Sequence, residues 1–360
     1  VMTGGMTMTF RVLVLLLLGL WTSGCATVAA IPQAERDAGR PVILIGIDGF
    51  RADYLERGVT PNLARLAAGG VTAKGGMRPS FPTVTFPNFY TLATGRHPDR
   101  HGLVYNTMQD PALPGRTFRL GARAEVMDRV WYDGAEPIWV SAERAGVRAA
   151  TLFWPGSEAA IGGVRPTLWL PFEQSLPSAG RVNMLLGWLT LPPVERPRFL
   201  TLYFDLVDTV GHRSGPDSPE LNAALAEVDG AIGRLLQGLQ ERNLHADLVV
   251  VADHGMAQTS PERVILLDEV VDPAAIRLLG GGPVALIAPT PGREREAEAG
   301  LLRAHARMQC WRKADVPARL MYGSHPRVPP IVCVAPSGWL ISTRATFRPE
   351  QARGGAHGYD

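Results

Sequence analysis

Three apolar runs along the chain each end in acidic residues. The runs are 42–47 before Asp48, 199–204 before Asp205 and Asp208, and 248–252 before Asp253. A short apolar run without alternation predicts a strand that is covered on both faces, as in a parallel sheet. Because parallel strands end at the same edge of a sheet, we expect these carboxylates to lie close together.

Helical patterns separate the strands. Residues 61–67 are followed by two glycines, and residues 218–242 carry apolar side chains at steps of three or four. Strands that alternate with helices predict an α/β fold with a doubly wound, mostly parallel sheet. Residues 155–193 are rich in Pro, Gly and Trp, and residues 263–349 combine short strands with one helix. We interpret both regions as insertions or a cap around the site.

Composition favours one large globular domain. The chain has 360 residues, of which 46% are hydrophobic and 19% charged, so it can bury a large core. Lys and Arg total 36 against 34 Asp and Glu, which gives a formal net charge of +2. This balance gives no reason to expect bulk binding of nucleic acid, so an anionic substrate must be recognised locally.

The start of the chain is typical of a secretory leader. Arg11 precedes the apolar run 12–20, which is too short to span a bilayer and fits the core of a signal peptide. Cys25 stands at the expected cleavage position and resembles the acylated cysteine of bacterial lipoproteins. We predict a signal peptide over residues 1–30, with either plain cleavage or lipidation at Cys25, and a linker over 31–40. The mature protein would be periplasmic or anchored to a membrane of the bacterial envelope.

Two cysteines remain outside this leader, Cys310 and Cys333. An even number of cysteines in an exported chain predicts a disulfide. The alternative is a pair of buried thiols, because sequence does not give the Cα separation that a disulfide requires.

Acidic and imidazole side chains cluster at predicted strand ends and in glycine-rich turns. They are Asp48, Asp208, His212, Asp253, His254 and His357. Each alone could be a turn or surface residue. Together they offer the oxygen and nitrogen ligands that suit zinc, and two such ions close together can bind one phosphoryl group. The set therefore predicts a site for two metal ions.

Thr85 is the candidate nucleophile. It stands just before a helical pattern with Pro87 in its first turn, and a helix N-terminus favours an anion. A metal ion at the Thr85 oxygen would lower the pKa of the hydroxyl enough to make it an alkoxide. The alternatives are that Thr85 only caps the helix, or that Thr83 or Ser80 is the reactive hydroxyl.

Six motifs occur in the order found in the nucleotide pyrophosphatase/phosphodiesterases of the alkaline phosphatase superfamily. They are residues 47–51, 85–88, His101-Gly102 with Asn106, 208–212, 253–256 and 355–360. The chain resembles this family over nearly all of its length after the leader. The resemblance implies an alkaline-phosphatase-like three-layer α/β/α sandwich with a mostly parallel central sheet and loop or cap insertions. It also implies a catalytic domain over residues 41–360 that is truncated at its C-terminus, since family members usually continue through a further strand and helix.

The resemblance further implies a role for each site residue. One Zn²⁺ would be held by Asp208, His212 and His357, and the other by Asp48, Asp253, His254 and the Thr85 oxygen. Asn106 would donate to the oxyanion. Thr85 would attack phosphorus in line and form a threonyl-phosphate ester, so that a nucleotide substrate releases a nucleoside monophosphate.

Aromatic residues are the candidates for a nucleoside slot. By resemblance Phe86 and Phe172 would form it, with Trp154 and Tyr203 nearby, because aromatic faces stack on bases. Core packing is the alternative for each of them. His97, His101 and His325 are interpreted as structural or surface residues.

Three other functions stay open at this level. A phosphomonoesterase would share the metals but needs a cation for its dianionic substrate, and Arg51, Arg78 and Arg96 are the available sources. A lipid or choline phosphodiester could replace the nucleotide as substrate. A non-catalytic envelope binding protein could keep the fold with a dead site.

Overall fold

The computed structural model of the protein describes residues 39–360. Its strands are β1 (Val42–Ile47), β2 (Thr107–Gln109), β3 (Thr117–Arg119), β4 (Ala149–Leu152), β5 (Leu168–Leu170), β6 (Phe199–Phe204), β7 (Asp247–Val251), β8 (Ala257–Gln258), β9 (Val264–Leu266), β10 (Ile276–Gly280), β11 (Val284–Pro289), β12 (Gln309–Arg312), β13 (Ile331–Val334), β14 (Leu340–Ser342) and β15 (Gly355–Ala356). Its α-helices are α1 (Pro61–Gly69), α2 (Thr85–Thr94), α3 (Pro98–His101), α4 (Arg123–Val126), α5 (Ile138–Arg144), α6 (Ser178–Leu189), α7 (Leu206–Ser214), α8 (Pro219–Glu241) and α9 (Glu294–Leu301).

The predicted signal peptide, Cys25 and most of the predicted linker lie outside the described residues. Across residues 39–360, no helix has both the length and the apolar content to cross a membrane.

A five-stranded parallel sheet forms the centre of the fold. Its order is β5-β4-β6-β1-β7, and β1 pairs in register with β6 on one side and β7 on the other. The apolar β-branched and aromatic residues of β1 and β6 form strands because they fit a covered, pleated surface. All six residues of β6 are buried, as expected for a strand near the middle of the sheet. The predicted α/β class with a mostly parallel sheet is confirmed.

The third predicted strand differs in its burial. β7 is an edge strand, so it pairs with β1 alone within the described sheet. Val249 and Val250 are 45% and 37% exposed, whereas the apolar run predicted cover on both faces. Composition cannot distinguish an edge strand from a central one, because that difference depends on which strands assemble beside it.

Helix α8 anchors the helices beside the sheet. Leu225, Val228, Ile232 and Leu235 of α8 are fully buried at three- and four-residue steps, and α8 packs on α1, α6 and α7. The buried carboxylate of Asp229 accepts hydrogen bonds from backbone N–H groups at the start of α1, at 2.8 and 3.1 Å. These groups have no partner within α1 itself, so α8 supplies the cap.

Residues 155–193 are not only the insertion or cap that the sequence predicted. They contribute strand β5 to the central sheet and helix α6, whose face carries buried Val182, Leu185, Leu186 and Leu189. The helical spacing was obscured by glycine and proline in the surrounding loops, which weaken a period without preventing the helix from packing.

Residues 263–349 form a smaller unit that contains a four-stranded antiparallel sheet and the parallel pair of β9 and β14. The four-stranded sheet β10-β11-β13-β12 has its own apolar core, and α9 is the α-helix of this region, as predicted. Cys310 and Cys333 are direct partners across β12 and β13, with Cα atoms 4.0 Å apart, and they form a disulfide. The alternative of two buried thiols is thereby removed.

Candidate active site at the carboxyl edge of the parallel sheet

Strands of the parallel sheet bring acidic residues together at their carboxyl ends, as predicted. Asp48 follows β1 directly, and Asp253 and His254 follow β7. Asp208 lies in the first turn of α7, which starts after β6. The location at the carboxyl ends of parallel strands is the one that α/β sheets use for ligand sites.

Gly49 allows these carboxylates to approach closely. Its φ is +70°, a conformation that favours glycine, and a Cβ at this position would lie 3.1 Å from both Cα and Cβ of Asp208. A larger residue at position 49 would therefore push Asp208 away from Asp48.

Two further histidines come from different parts of the chain. His212 lies one helical turn after Asp208 on α7, so both face the same side. His357 follows β15, and β15 pairs with β8, which begins three residues after His254. Thr83 holds this segment in place, since its carbonyl accepts from His357 Nδ1 at 2.8 Å and its hydroxyl oxygen accepts from the Gly358 N–H at 2.9 Å.

Thr85 is the hydroxyl that lies among these side chains. Its Oγ1 is 3.3 Å from His254 Nε2, and it is the first residue of α2. Val84 rather than Thr85 is the N-cap residue, so the capping role that propensity suggested is wrong. Ser80 pairs with His97, and the Thr83 hydroxyl donates to the Tyr359 carbonyl at 3.1 Å. The two competing hydroxyls are therefore engaged elsewhere.

Donor atoms of the predicted ligands meet at short distances. His254 Nε2 is 2.9 Å from Asp253 Oδ2 and 3.3 Å from Asp48 Oδ1. Asp208 Oδ1 is 3.4 Å from His212 Nε2 and 3.6 Å from His357 Nε2. The structure thus brings all six predicted carboxylate and imidazole residues together beside Thr85.

The hydrogen bonds fix the tautomer of each histidine. Nδ1 of His212, His254 and His357 lies 2.8 to 2.9 Å from a backbone carbonyl oxygen, of Gly355, Gly255 and Thr83 respectively. A carbonyl can only accept, so each Nδ1 carries the hydrogen and each Nε2 presents a lone pair to the cluster. Such an outer hydrogen bond is typical of metal-binding histidines.

The facing carboxylate oxygens have no donor. Asp48 Oδ1, Asp208 Oδ1 and Asp253 Oδ2 are buried without a hydrogen-bond partner in the described structure. The second oxygens of two of these carboxylates do have donors. Asp48 Oδ2 accepts from the Tyr203 hydroxyl at 2.6 Å, and Asp253 Oδ1 accepts from the Gly49 N–H at 3.2 Å. Oxygens of three carboxylates and Nε2 atoms of three imidazoles thus face one another, an arrangement that bound cations or protons would stabilise.

By itself the cluster binds protons strongly. Burial, followed by the nearby Asp253 and Asp208 carboxylates, raises the pKa of Asp48 well above its usual value. Burial also raises the pKa of Asp208. Burial alone would lower the pKa of His254, but the Asp253 carboxylate outweighs it and the pKa is raised. Protons and metal ions therefore compete for these groups.

The residues fit a metal centre. Two overlapping sets have donor atoms within 4.8 Å of one another: Asp48, Asp253 and His254, and Asp208, His254 and His357. The family resemblance implied that His254 belongs to the first set alone and His212 to the second. His254 joins both because its ring stacks on His357 at 3.5 Å, while the His212 side chain is 44% exposed at the rim.

Asn106 is oriented toward the same place. Its Oδ1 accepts a hydrogen bond of 2.9 Å from the backbone N–H of Phe86, next to Thr85. Because that N–H can only donate, the contact identifies the oxygen of the amide and leaves Nδ2 without a partner among the residues that the structure describes. A side-chain amide fixed in this way is one of the groups that can donate to an oxyanion.

The aromatic residues predicted to contact substrate differ in their exposure and in their contacts. Phe172 is 41% exposed, and its ring lies 6.0 Å from that of Tyr203, whose hydroxyl binds Asp48. Phe86 is buried against Phe118 and follows Thr85 directly. Trp154 is only 1% exposed and its indole N–H donates to the Phe89 carbonyl, so its predicted contact with substrate does not fit its position.

Tyr203 has a role that sequence reasoning missed. Its ring is buried and its hydroxyl donates to the Asp48 carboxylate, one of the predicted metal ligands. Burial, and then the Asp48 carboxylate, raises the pKa of Tyr203, so the hydroxyl remains a donor. The rule that a buried tyrosine hydroxyl needs a polar partner could have indicated this contact.

The remaining histidines and arginines lie outside the cluster. His101 is fully buried between Thr91 and Leu103, which fits the predicted structural role. Arg51 is engaged by Asp53 and by the Met256 carbonyl. Within residues 39–360 neither Arg51, Arg78 nor Arg96 forms a hydrogen bond or salt bridge with a cluster residue.

Comparison with known proteins places this geometry in a family. Residues 42–360 match the family model described as type I phosphodiesterase / nucleotide pyrophosphatase. An uncharacterized pyrophosphatase/phosphodiesterase of Schizosaccharomyces pombe is 39% identical over 331 residues, which cover 89% of this chain and 68% of that protein. Ectonucleotide pyrophosphatase/phosphodiesterase family member 3 of Rattus norvegicus is 35% identical over 353 residues, which cover 94% of this chain. The match covers only 39% of the rat protein's length.

Solved structures agree with the sequence matches. Murine ectonucleotide pyrophosphatase/phosphodiesterase 5 superposes with a TM-score of 0.84 at 35% identity, over 89% of this chain and 84% of that one. An inactive threonine-to-alanine variant of the murine protein, in complex with AMP, gives the same TM-score at 34% identity and the same coverage. The alkaline-phosphatase-like α/β fold is thereby confirmed. The chain belongs to the type I phosphodiesterase/nucleotide pyrophosphatase family of hydrolases.

Proposed function

We propose that this chain hydrolyses phosphodiester or pyrophosphate bonds of nucleotides, with two Zn²⁺ ions and with Thr85 as the covalent nucleophile. The observation that carries the proposal is the convergence of three orphaned carboxylate oxygens and three imidazole Nε2 atoms beside the Thr85 hydroxyl. The family match supports the reaction class, and it supports residues 41–360 as the catalytic domain.

Charge supports two divalent ions. The carboxylates of Asp48, Asp208 and Asp253 bring three negative charges into a buried site, and the three histidines are neutral when they bind metal. Two divalent ions leave the site with a small positive excess, which suits an anionic diester. Mixed carboxylate and imidazole ligands favour zinc over magnesium or calcium.

The family resemblance supports the following division of ligands, although in the structure His254 lies within both donor sets and His212 lies at the rim. Asp48, Asp253, His254 and the Thr85 oxygen would hold one ion, and Asp208, His212 and His357 the other. When bound, the ions supply Lewis acidity, which lowers the pKa of a hydroxyl or a water molecule and offsets the charge of the phosphoryl group.

The protein side chains position the reaction. Thr85 Oγ1 bonds to phosphorus as the bond to the leaving oxygen breaks, which gives a threonyl-phosphate ester that water then hydrolyses. Helix α2 starts at Thr85, so its N-terminal dipole favours the developing negative charge. Asn106 Nδ2 donates to a non-bridging oxygen.

A nucleotide substrate is supported by the AMP complex of the murine relative and by the aromatic surface beside the cluster. Phe172 offers an exposed face, and Phe86 lies at the nucleophile. A nucleotide bound there by its 5′-phosphoryl group would be released as a nucleoside monophosphate. Trp154 and Tyr203 are not part of this slot.

Export is supported by the relatives, which are named ectonucleotide enzymes and venom phosphodiesterases. The disulfide between Cys310 and Cys333 is consistent with an oxidising compartment. We propose that residues 1–30 direct this export, with cleavage or lipidation at Cys25.

The test compares two substrates of the zinc-loaded protein. We expect the 4-nitrophenyl ester of thymidine 5′-monophosphate to be hydrolysed far faster than 4-nitrophenyl phosphate. Thr85→Ala should lose at least about 1,000-fold in kcat, because the nucleophile is removed. Ser80→Ala, which removes the competing hydroxyl that pairs with His97, is the matched control and should retain activity.

Each result has a defined meaning. Preference for the monoester would indicate a phosphatase instead. Equal loss in Thr85→Ala and Ser80→Ala would reject the assignment of the nucleophile. Stoichiometric zinc without turnover of either ester would favour the non-catalytic binding protein.

A further inference from the structure

A buried arginine lies behind the exposed Phe172. Arg181 projects from α6, and its guanidinium forms a salt bridge of 2.7 Å with Asp205 Oδ1. The same group donates to the carbonyl oxygens of Tyr203 at 2.9 Å and Leu176 at 3.0 Å. Arginine is rarely buried unless it is paired, and here its fork links α6, the end of β6 and the segment after Phe172.

The guanidinium also supports aromatic rings. It lies 5.8 Å from the centroid of Phe172 and 5.2 Å from that of Phe153. Phe153 packs edge-on against Phe172 at 5.5 Å and has a φ of +67°, which is rare for an aromatic residue. Strained backbone of this kind persists where surrounding contacts enforce it.

Two polar contacts fix the backbone on either side of the Phe172 ring. The buried carboxylate of Glu158 accepts from the Phe172 N–H at 3.1 Å. The exposed Gln174 donates from Nε2 to Asp205 Oδ2 at 3.0 Å. Asp205 therefore joins Gln174 and Arg181 through its two oxygens, immediately before the helix that carries the metal-ligating Asp208.

We propose that Arg181, Asp205 and Gln174 form a positioning clamp that holds Phe172 as a rigid stacking surface and so sets the preference for nucleoside-bearing esters. The inference rests on the proposed function and adds the residues that control its specificity. A surface held in its binding conformation loses little entropy when a base stacks on it, which improves affinity without altering the reacting groups.

The main test variant is Arg181→Lys. Lysine keeps a cation near Asp205, but a single ammonium cannot bind both carbonyls and lie flat against the rings. We expect the ratio of kcat/KM for thymidine 5′-monophosphate 4-nitrophenyl ester to kcat/KM for bis(4-nitrophenyl) phosphate to fall about 10-fold, mainly through KM, since stacking of one base contributes about that much. Gln174→Ala should lower the same ratio about threefold, because an exposed hydrogen bond contributes less.

Arg196→Lys is the matched control. Arg196 follows the same helix and also donates to a backbone carbonyl, that of Leu191 at 3.2 Å, so its replacement should leave the ratio unchanged. A double-mutant cycle with Phe172→Ala then isolates the clamp. Once the ring is absent, Arg181→Lys should change the ratio less than about twofold. An equal effect in both backgrounds, or a parallel loss for both esters, would overturn the proposal.

Amide hydrogen exchange provides a readout that needs neither metal nor turnover. In Arg181→Lys, exchange over residues 171–177 should quicken about 10-fold, while the central strands exchange as in the wild type. Unchanged exchange over 171–177 would refute the clamp. If the wild type hydrolysed neither ester, the proposed function would fall, and the exchange result alone would decide for or against the clamp.

Discussion

Replacing Tyr203 with phenylalanine tests whether this residue supports the metal centre. The change removes a hydroxyl that donates to Asp48 Oδ2 at 2.6 Å and leaves the buried ring in place. A hydrogen bond to a charged group contributes about 1.5–3 kcal/mol. Loss of such an outer contact typically reduces metal affinity about 10–100-fold. We therefore expect Tyr203→Phe to bind Zn²⁺ about 10–100-fold more weakly, with near-normal turnover at saturating zinc.

The assay is a zinc titration against a colorimetric chelator, followed by activity as a function of free zinc. Tyr322→Phe is the matched control, because Tyr322 is equally buried but its hydroxyl donates to the neutral Val104 carbonyl at 3.1 Å. That variant should lose some stability and no zinc affinity. A Tyr203→Phe protein with normal zinc affinity and a raised KM would refute the reasoning and return Tyr203 to the nucleoside slot.

Three predictions concern stability. Burial lowers the pKa of His101 to about 3. As the pH falls below about 6.5, His101 becomes protonated in the unfolded chain and stays neutral in the folded one, so the folded state loses stability. Between pH 6.5 and 5, the free energy of unfolding measured in urea should fall by about 2 kcal/mol more for the wild type than for His101→Gln. Parallel pH profiles of the two proteins would contradict this. Asp229→Ala should destabilise the fold by about 2–3 kcal/mol in urea, because the first turn of α1 loses its buried acceptor, whereas the exposed Asp247→Ala should change little. Replacing Cys310 and Cys333 by serine should lower stability by about 3 kcal/mol, given their separation of 23 residues, and an unchanged melting temperature would show that the β12–β13 pairing alone holds this sheet.

Much of the fold can be predicted from local patterns. The apolar runs that became β1 and β6 have a strand signal because covered strands exclude polar side chains. Helix α8 keeps its apolar spacing of three or four residues over 23 residues. The predicted bounds, 218–242, therefore differ from the observed ones by one residue at each end. The exposure of β7 could not be predicted, because it depends on position in the sheet and not on the strand's own residues.

At the site, too, local features could be predicted from the sequence, whereas contacts between distant residues could not. Sequence order and spacing identified the acidic and imidazole residues, since strand ends and an i,i+4 helical pair are local features. The contact of Tyr203 with Asp48 joins residues 155 positions apart, and no periodicity reports it. The same holds for Arg181, whose partners come from β6 and from the loop after Phe172.

The sequence by itself therefore determined the chemical inventory: a hydroxyl, three carboxylates and three imidazoles at the ends of predicted elements. Only the tertiary structure decided which lone pairs face one another, which hydroxyl stands among them and which aromatic ring remains exposed. The physical reason is that chemistry belongs to residue types, whereas burial and orientation arise from packing between distant segments.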